Sequence, residues 1–344
     1  MKKIVRTTLV ASIALALTAC NFGSKNTTPD PIVPTTLNIS GGAVKGSLAF
    51  ATVNVYAASD TDKTTVLATT QTDANGDYTV QVVDATGAAI TGAFVIEVVA
   101  DEDTTMICDS TRCGDLAYGD PILSTSLVGL TLSTISYSDG GAIDADVNSL
   151  TTMATDTILA AATIDGSALD LATVSATDFL TIQTDASGVI GAILGVDLSA
   201  TNLFAIDIVD AAVPGDVSTT DSIAATLTLI NASLSSLEVA DGATLADEIS
   251  AYLDAVEEVT TILLVTPDAS LSTVSGDALA TINETQAEIS DEVGQIAAIV
   301  VTEGGGEAIP VEEVPAALDE EALGDTVGDI ITGTGGTGAT GGEG

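Results

Sequence analysis

No lysine, arginine or histidine follows Arg112 in this chain, while 38 of its 49 acids do. Over the last two thirds, then, no residue can pair with a local cation, and no helix can end on a basic cap. Stability there has to come from apolar burial and from neutral hydrogen bonds. Such a field repels phosphate backbones and anionic headgroups, which excludes nucleic acid as a partner and excludes a polybasic membrane contact. It also makes the compact state repel itself, less so as salt screens it, so a salty or calcium-containing exterior suits the chain. Acids that merely keep the protein soluble are the plain alternative.

The chain is nonetheless built to fold. It is 46% hydrophobic, well above the signature of disorder, and long enough for two modest domains. With no Trp, five Tyr and five Phe, the core has to be made of Val, Ile, Leu and Ala.

The first twenty residues place it. Lys2, Lys3 and Arg6 precede an apolar stretch from Leu9 to Leu17, and Leu17-Thr18-Ala19-Cys20 closes the segment. The stretch is short for a bilayer span and reads as a processing signal over residues 1–19. It resembles a bacterial lipoprotein signal, which implies acylation of Cys20 and attachment to the membrane through that lipid. An ordinary cleaved signal with a chance cysteine is the alternative. By the enterobacterial sorting rule, Asn21 directs such a protein to the outer membrane. Residues 20–36, with Pro29, Pro31 and Pro34, read as a lipidated tether.

From 37 to 137 the apolar period is two. Thr52-Val53-Asn54-Val55-Tyr56 and Thr79-Val80-Gln81-Val82 alternate, and Asn75-Gly76 is expected to supply the positive φ angles of a tight hairpin turn. The run from Gly42-Ala43-Val44-Lys45-Gly46 through Ala51 to Tyr56 and on to Thr72-Asp73-Ala74-Asn75-Gly76-Asp77-Tyr78 resembles the carboxypeptidase-regulatory-like, transthyretin-like β-sandwich domains. That resemblance implies an Ig-like sandwich and no activity. Cys108 and Cys113 remain as an even pair in an oxidising compartment and are read as a loop disulfide; zinc would need two further ligands in a chain without histidine. The clipped loop either pins local structure or presents a binding surface.

From 145 to 302 the period becomes helical. Asn148–Ala162 and Asp178–Leu194 read as helices, the second weakened by Gly188 and Gly191. Three further stripes run over Ile223–Leu237, Leu245–Leu263 and Ile282–Val300, with N-caps at Asp221 and Thr244 and a stop at Pro267. The order of these parts resembles uncharacterised surface lipoproteins of gram-negative, often marine, bacteria, which contributes no catalytic residues. Residues 303–344 read as a disordered Gly/Glu-rich acidic tail. The expected fold is therefore multidomain β + α: sandwich, helical bundle and tail.

Chemistry is constrained by what is missing. Without histidine there is no Ser-His-Asp or Cys-His arrangement, and no glycine-rich phosphate loop ends in lysine. Paired carboxylates remain, but 49 acids guarantee such pairs by chance. No catalytic residue, cofactor or defined metal set is expected. Weak calcium binding has two candidate segments, Asp73, Asn75 and Asp77, and Asp144, Asp146 and Asn148, which share the first spacings of an EF-type loop without its Gly and distal Glu. The expectation is a non-catalytic structural, adhesion or assembly module of the cell envelope, with an envelope protein or a glycan as partner. A glycan- or substrate-binding accessory protein is the alternative, and a carboxylate-pair hydrolase a distant one.

Overall fold

The computed structural model describes residues 32–164, 167, 169–266, 269, 271, 275–320, 323 and 326. The signal, Cys20, most of the tether, Pro267 and the last residues of the tail lie outside them. The described chain is mixed β and α, strands first and helices after.

Strand β1 (Thr35–Val44) organises the first sheet. It pairs antiparallel with β4 (Asp77–Asp84) along the whole of the latter, from Thr35 opposite Asp84 to Gly42 opposite Asp77. On its other side lie two short parallel partners, β11 (Ile143–Asp144) and β12 (Val147–Asn148). The second sheet is antiparallel throughout. In spatial order it contains β10 (Thr131–Ser138), β5 (Gly92–Val99), β2 (Thr52–Ala57) and β3 (Ala68–Gln71). Strand β4 shows why one face goes inward: Tyr78, Val80 and Val82 are buried, while the residues between them face out.

One expectation is corrected in this part. The Asn75-Gly76 segment does not close a hairpin, because β3 and β4 belong to different sheets. Of its residues only Gly76 has a positive φ, +83°. The bend is held instead by Asp73, whose Oδ1 accepts the amides of Asn75 at 2.7 Å and Asp77 at 3.1 Å, an Asx arrangement that lets the chain change sheets. Residues 143–148 return to pair with β1. Gly41 permits this: a Cβ there would sit 2.0 Å from the Ala145 carbonyl oxygen.

Helix α1 (Ser149–Thr163) starts where β12 ends, capped by Asn148 Oδ1 on the amides of Leu150 and Thr151 at 3.0 and 2.9 Å. It covers the outer edge of β10. Thr152 Oγ1 accepts the Ser133 amide at 2.8 Å, and Thr151 Oγ1 donates to the Ser133 carbonyl at 2.9 Å. From α2 (Ala176–Leu194), Gln183 Nε2 donates to the Ile135 carbonyl at 2.8 Å. Helix side chains thus satisfy backbone groups that an edge strand would leave open.

Three more helices follow: α3 (Ser222–Ser233), α4 (Leu245–Val265) and α5 (Gly276–Glu303). Asp221 and Thr244 are the N-caps of α3 and α4, and Thr244 forms a capping box with Asp247. Leu237 lies beyond the end of α3 yet is buried. The apolar residues form a single contiguous cluster from Leu37 in β1 to Leu323.

The tail does not begin at Glu303. Val314 is buried, and Ile309, Val311 and Leu318 pack against the core. Gln286 Nε2 donates to the Pro315 carbonyl at 3.0 Å and Ser290 Oγ to that of Val314 at 2.8 Å. Four apolar residues spaced through the Gly/Glu-rich composition suffice to lay this stretch along α5.

Four two-residue strands, β6 (Met106–Ile107), β7 (Arg112–Cys113), β8 (Leu116–Ala117) and β9 (Pro121–Ile122), lie between β5 and β10, and Cys108 and Cys113 are bonded. Between them, Thr111 Oγ1 donates to Glu292 of α5 at 2.5 Å, and Arg112 stands 3.9 Å from Glu238. The clipped loop therefore grips the helical part. Replacing both cysteines by serine releases a short loop and should lower stability by about 2 kcal/mol from chain entropy. Denaturant titration of the full chain checks this, and peptide mapping without reductant should show one intrachain link. Unchanged stability would mean that helix contacts alone hold the loop.

Candidate functional site

A cleft of about 880 Å³, open to solvent, lies where β1 meets the loop before α3. Its wall is acidic: Asp77, Asp144, Asp146, Asp207, Asp210 and Asp216 all line it. Three separate stretches of sequence supply them. Asp77 opens β4, Asp144 and Asp146 come with the short parallel strands, and the others sit on residues 207–216. Because β1 lies between β4 and β11, the two segments singled out for calcium meet across it.

Each candidate has a definite place. Asn75, Asp77, Asp144 and Asp146 line the cleft. Asp73 does not, and its carboxylate is engaged in the turn. Asn148 is buried as the cap of α1. Asp146 accepts the Gly42 amide at 2.7 Å, yet burial and the charges of Asp144, Asp207 and Asp77 raise its pKa. Asp77 is raised by burial and by Asp73. Tyr78 donates to the Ala145 carbonyl, and burial beside Asp146 and Asp144 holds its hydroxyl strongly in the protonated form. Among the described residues, however, no three acid or cysteine side chains converge closely enough to hold a metal ion. The cleft offers a diffuse negative field, suited to cations or cationic groups.

Directly behind this wall lies an arrangement that sequence reasoning missed. Asp210 Oδ2 accepts both the amide and the hydroxyl of Ser47 at 3.0 Å, fixing the chain just beyond β1. Two residues earlier, Lys45 is 0% exposed. Its Nζ donates to Ser235 Oγ at 2.5 Å, and Ser235 Oγ donates to Asp109 Oδ1 at 2.6 Å. Asp109 sits inside the disulfide loop, so Lys45 joins β1, that loop and the exit of α3. Asn231 of α3 adds to the join, donating to the Val44 carbonyl at 3.0 Å and accepting the Ser149 amide at 3.2 Å. The available signal was a lone lysine inside a Gly- and Ala-rich apolar run.

A second charged cluster lies between the second sheet and the helices. Lys63 contacts Glu97 at 2.5 Å. Beside them a small recess of about 170 Å³ holds Asp156 of α1 and Asp254 of α4. Burial, then the charge of Glu257, raises Asp156 to about 7; Lys63 opposes this, and Asp254 and Glu97 add to it. An unfolded aspartate titrates near about 4, so ionising Asp156 destabilises the fold. Its contribution is complete below the unfolded value and is lost as pH rises through about 7. The full chain should therefore melt higher near about pH 5 than near about pH 8, and higher in about 0.5 M sodium chloride than in dilute buffer. Asp156→Asn should raise stability at the higher pH by about 1–3 kcal/mol and flatten the profile. A profile rising with pH, or an unaltered one in the variant, would contradict this assignment.

No family model matches this chain, and no curated protein matches its sequence, so the functional reading rests on the residues described above.

Proposed function

We propose that the protein is a non-catalytic cell-envelope lipoprotein, held to the outer membrane through Cys20, and that it acts as a structural, adhesion or assembly module. The observation that carries this reading is the outer edge of β4. Among the described residues its eight positions pair on one side only, with β1. Neither lysine nor proline interrupts it, and its outward Val83 is 58% exposed. An edge without a ladder partner is a template for strand addition by a partner chain, in which backbone hydrogen bonds supply affinity and alternate side chains supply choice. The contrast with β10, whose edge is covered by α1 and α2, supports the assignment.

Two four-stranded sheets with a change of sheet at Asp73 support the transthyretin-like sandwich reading of the strand-rich part. The acidic cleft favours a second reading, an accessory protein that binds a substrate carrying positive charge. A hydrolase draws no support from the cleft, because Asp210 and Asp146 there bind backbone amides and the cleft is open.

Cys20→Ser should abolish acylation and release the chain from membranes, measured by fatty-acid labelling and fractionation. Retention of the variant on the membrane would contradict the anchor. A photo-crosslinking residue at Gln81 on the β4 edge should capture a protein partner in intact envelopes, while one at exposed Asp291 on α5 should not. Capture at Asp291 alone would contradict the edge reading.

A further inference from the structure

Lys45, Ser235 and Asp109 form a cluster closed off from solvent. Lys45 and Ser235 are 0% exposed and Asp109 1%. None of the three lines a described cleft, so neither the amine nor the hydroxyl can meet an outside substrate. What the amine does meet is a carboxyl group. Lys45 Nζ stands 3.9 Å from Asp109 Oδ2, and that oxygen accepts no hydrogen bond. An orphaned carboxylate oxygen facing a fully buried lysine is a costly arrangement for a plain ion pair.

We propose that Lys45 and Asp109 condense, within the folded chain, into an intramolecular amide between Nζ and Cγ. Ser235 is the positioning residue. Its hydroxyl accepts from Nζ and donates to Asp109 Oδ1, so it connects the group that has to lose a proton to the group that has to gain one. After that transfer the site holds a neutral amine and a protonated acid. The amine lone pair attacks Cγ, the C–N bond forms, and the bond from Cγ to Oδ1 breaks. Oδ1 leaves as water, carrying the proton relayed to it through Ser235 and one from Nζ. Oδ2 remains the carbonyl oxygen of the amide. No oxidant or other co-reactant is needed.

Burial lowers the lysine pKa, and burial also raises that of Asp109 to about 6, so both groups move toward the neutral pair. The charge of Asp210 raises both values, which favours the protonated acid and works against the neutral amine. Holding the groups in contact makes the step intramolecular, and a dry site disfavours the return of water. The product would tie the end of β1 to the disulfide loop, adjacent to the existing Cys108–Cys113 link.

Trypsin reads the outcome on the wild-type chain. With Lys45 free, digestion after reduction gives residues 26–45, 46–63 and 64–112 as separate peptides. With the amide formed, cleavage after Lys45 is lost, and residues 26–63 and 64–112 run as one branched species lighter than their sum by one water. Fragmentation should place the branch at Lys45 and Asp109. Lys45→Arg should abolish the branched species, and Ser235→Ala should slow its appearance at least about tenfold, as expected for loss of an oriented proton relay. Free 46–63 as the main product from folded wild-type protein, with a whole-chain mass lacking the water loss, would overturn the proposal. So would a branch mapped to any other pair. The readout does not depend on membrane attachment or on a partner, so it stands or falls apart from the function proposed above.

Discussion

Burial of Lys45 is the constraint on which the rest of the structure depends. A lysine fully withdrawn from water is strongly disfavoured unless partners compensate it. Its partners come from places far apart in sequence, Asp109 in the disulfide loop and Ser235 just past α3. To satisfy one side chain, the chain has to bring β1, the loop and the helices to one point. Breaking such a buried pair by removing one member typically costs about 3–5 kcal/mol, a large share of a domain's net stability.

The other bases follow the same logic. Lys63 faces Glu97 and acts on Asp156 of α1, and Arg112 stands by Glu238 beyond α3. All three described bases thus lie where the strand-rich part meets the acidic helices. A region with no cation of its own borrows those of its neighbour, and the join gains charge complementarity that neither part has alone. The disulfide reinforces this, because its loop supplies Asp109, Thr111 and Arg112, each directed at the helical part. The helices in turn cover the edge of β10 and leave that of β4 open.

Much of this was legible in the sequence. Period-two alternation located β2 and β4, and the stripes with caps at Asp221 and Thr244 located the starts of α3 and α4 and the end of α4 to within a residue or two, because local patterning decides such elements; α3 ends at Ser233, four residues short of its stripe. Cys108 and Cys113 followed from parity and compartment. What was not legible depends on long-range pairing. The Asp73 turn was misread because a bend between sheets and a hairpin share the same Asx and glycine chemistry. Residues 143–148 pair with β1 only because Gly41 admits Ala145, a contact of two distant positions. Four large aliphatic residues between 307 and 320, Ile309, Val311, Val314 and Leu318, were outweighed by their acidic and glycine-rich surroundings. The acids of the cleft were visible one by one, but their meeting across β1 is a matter of topology. No local pattern marks a lysine, such as Lys45, that will be buried.

The central claim is that the strands and helices form one cooperative unit held at Lys45. Native-state hydrogen exchange on the full chain tests it most directly, comparing wild type with Lys45→Met. The account predicts that the slowest amides of β1, β5, α1 and α3 share one opening free energy in the wild type, and that the substitution lowers all of them together. Slow amides in α3 that keep their protection while those of β1 lose theirs would show two independent units and contradict it.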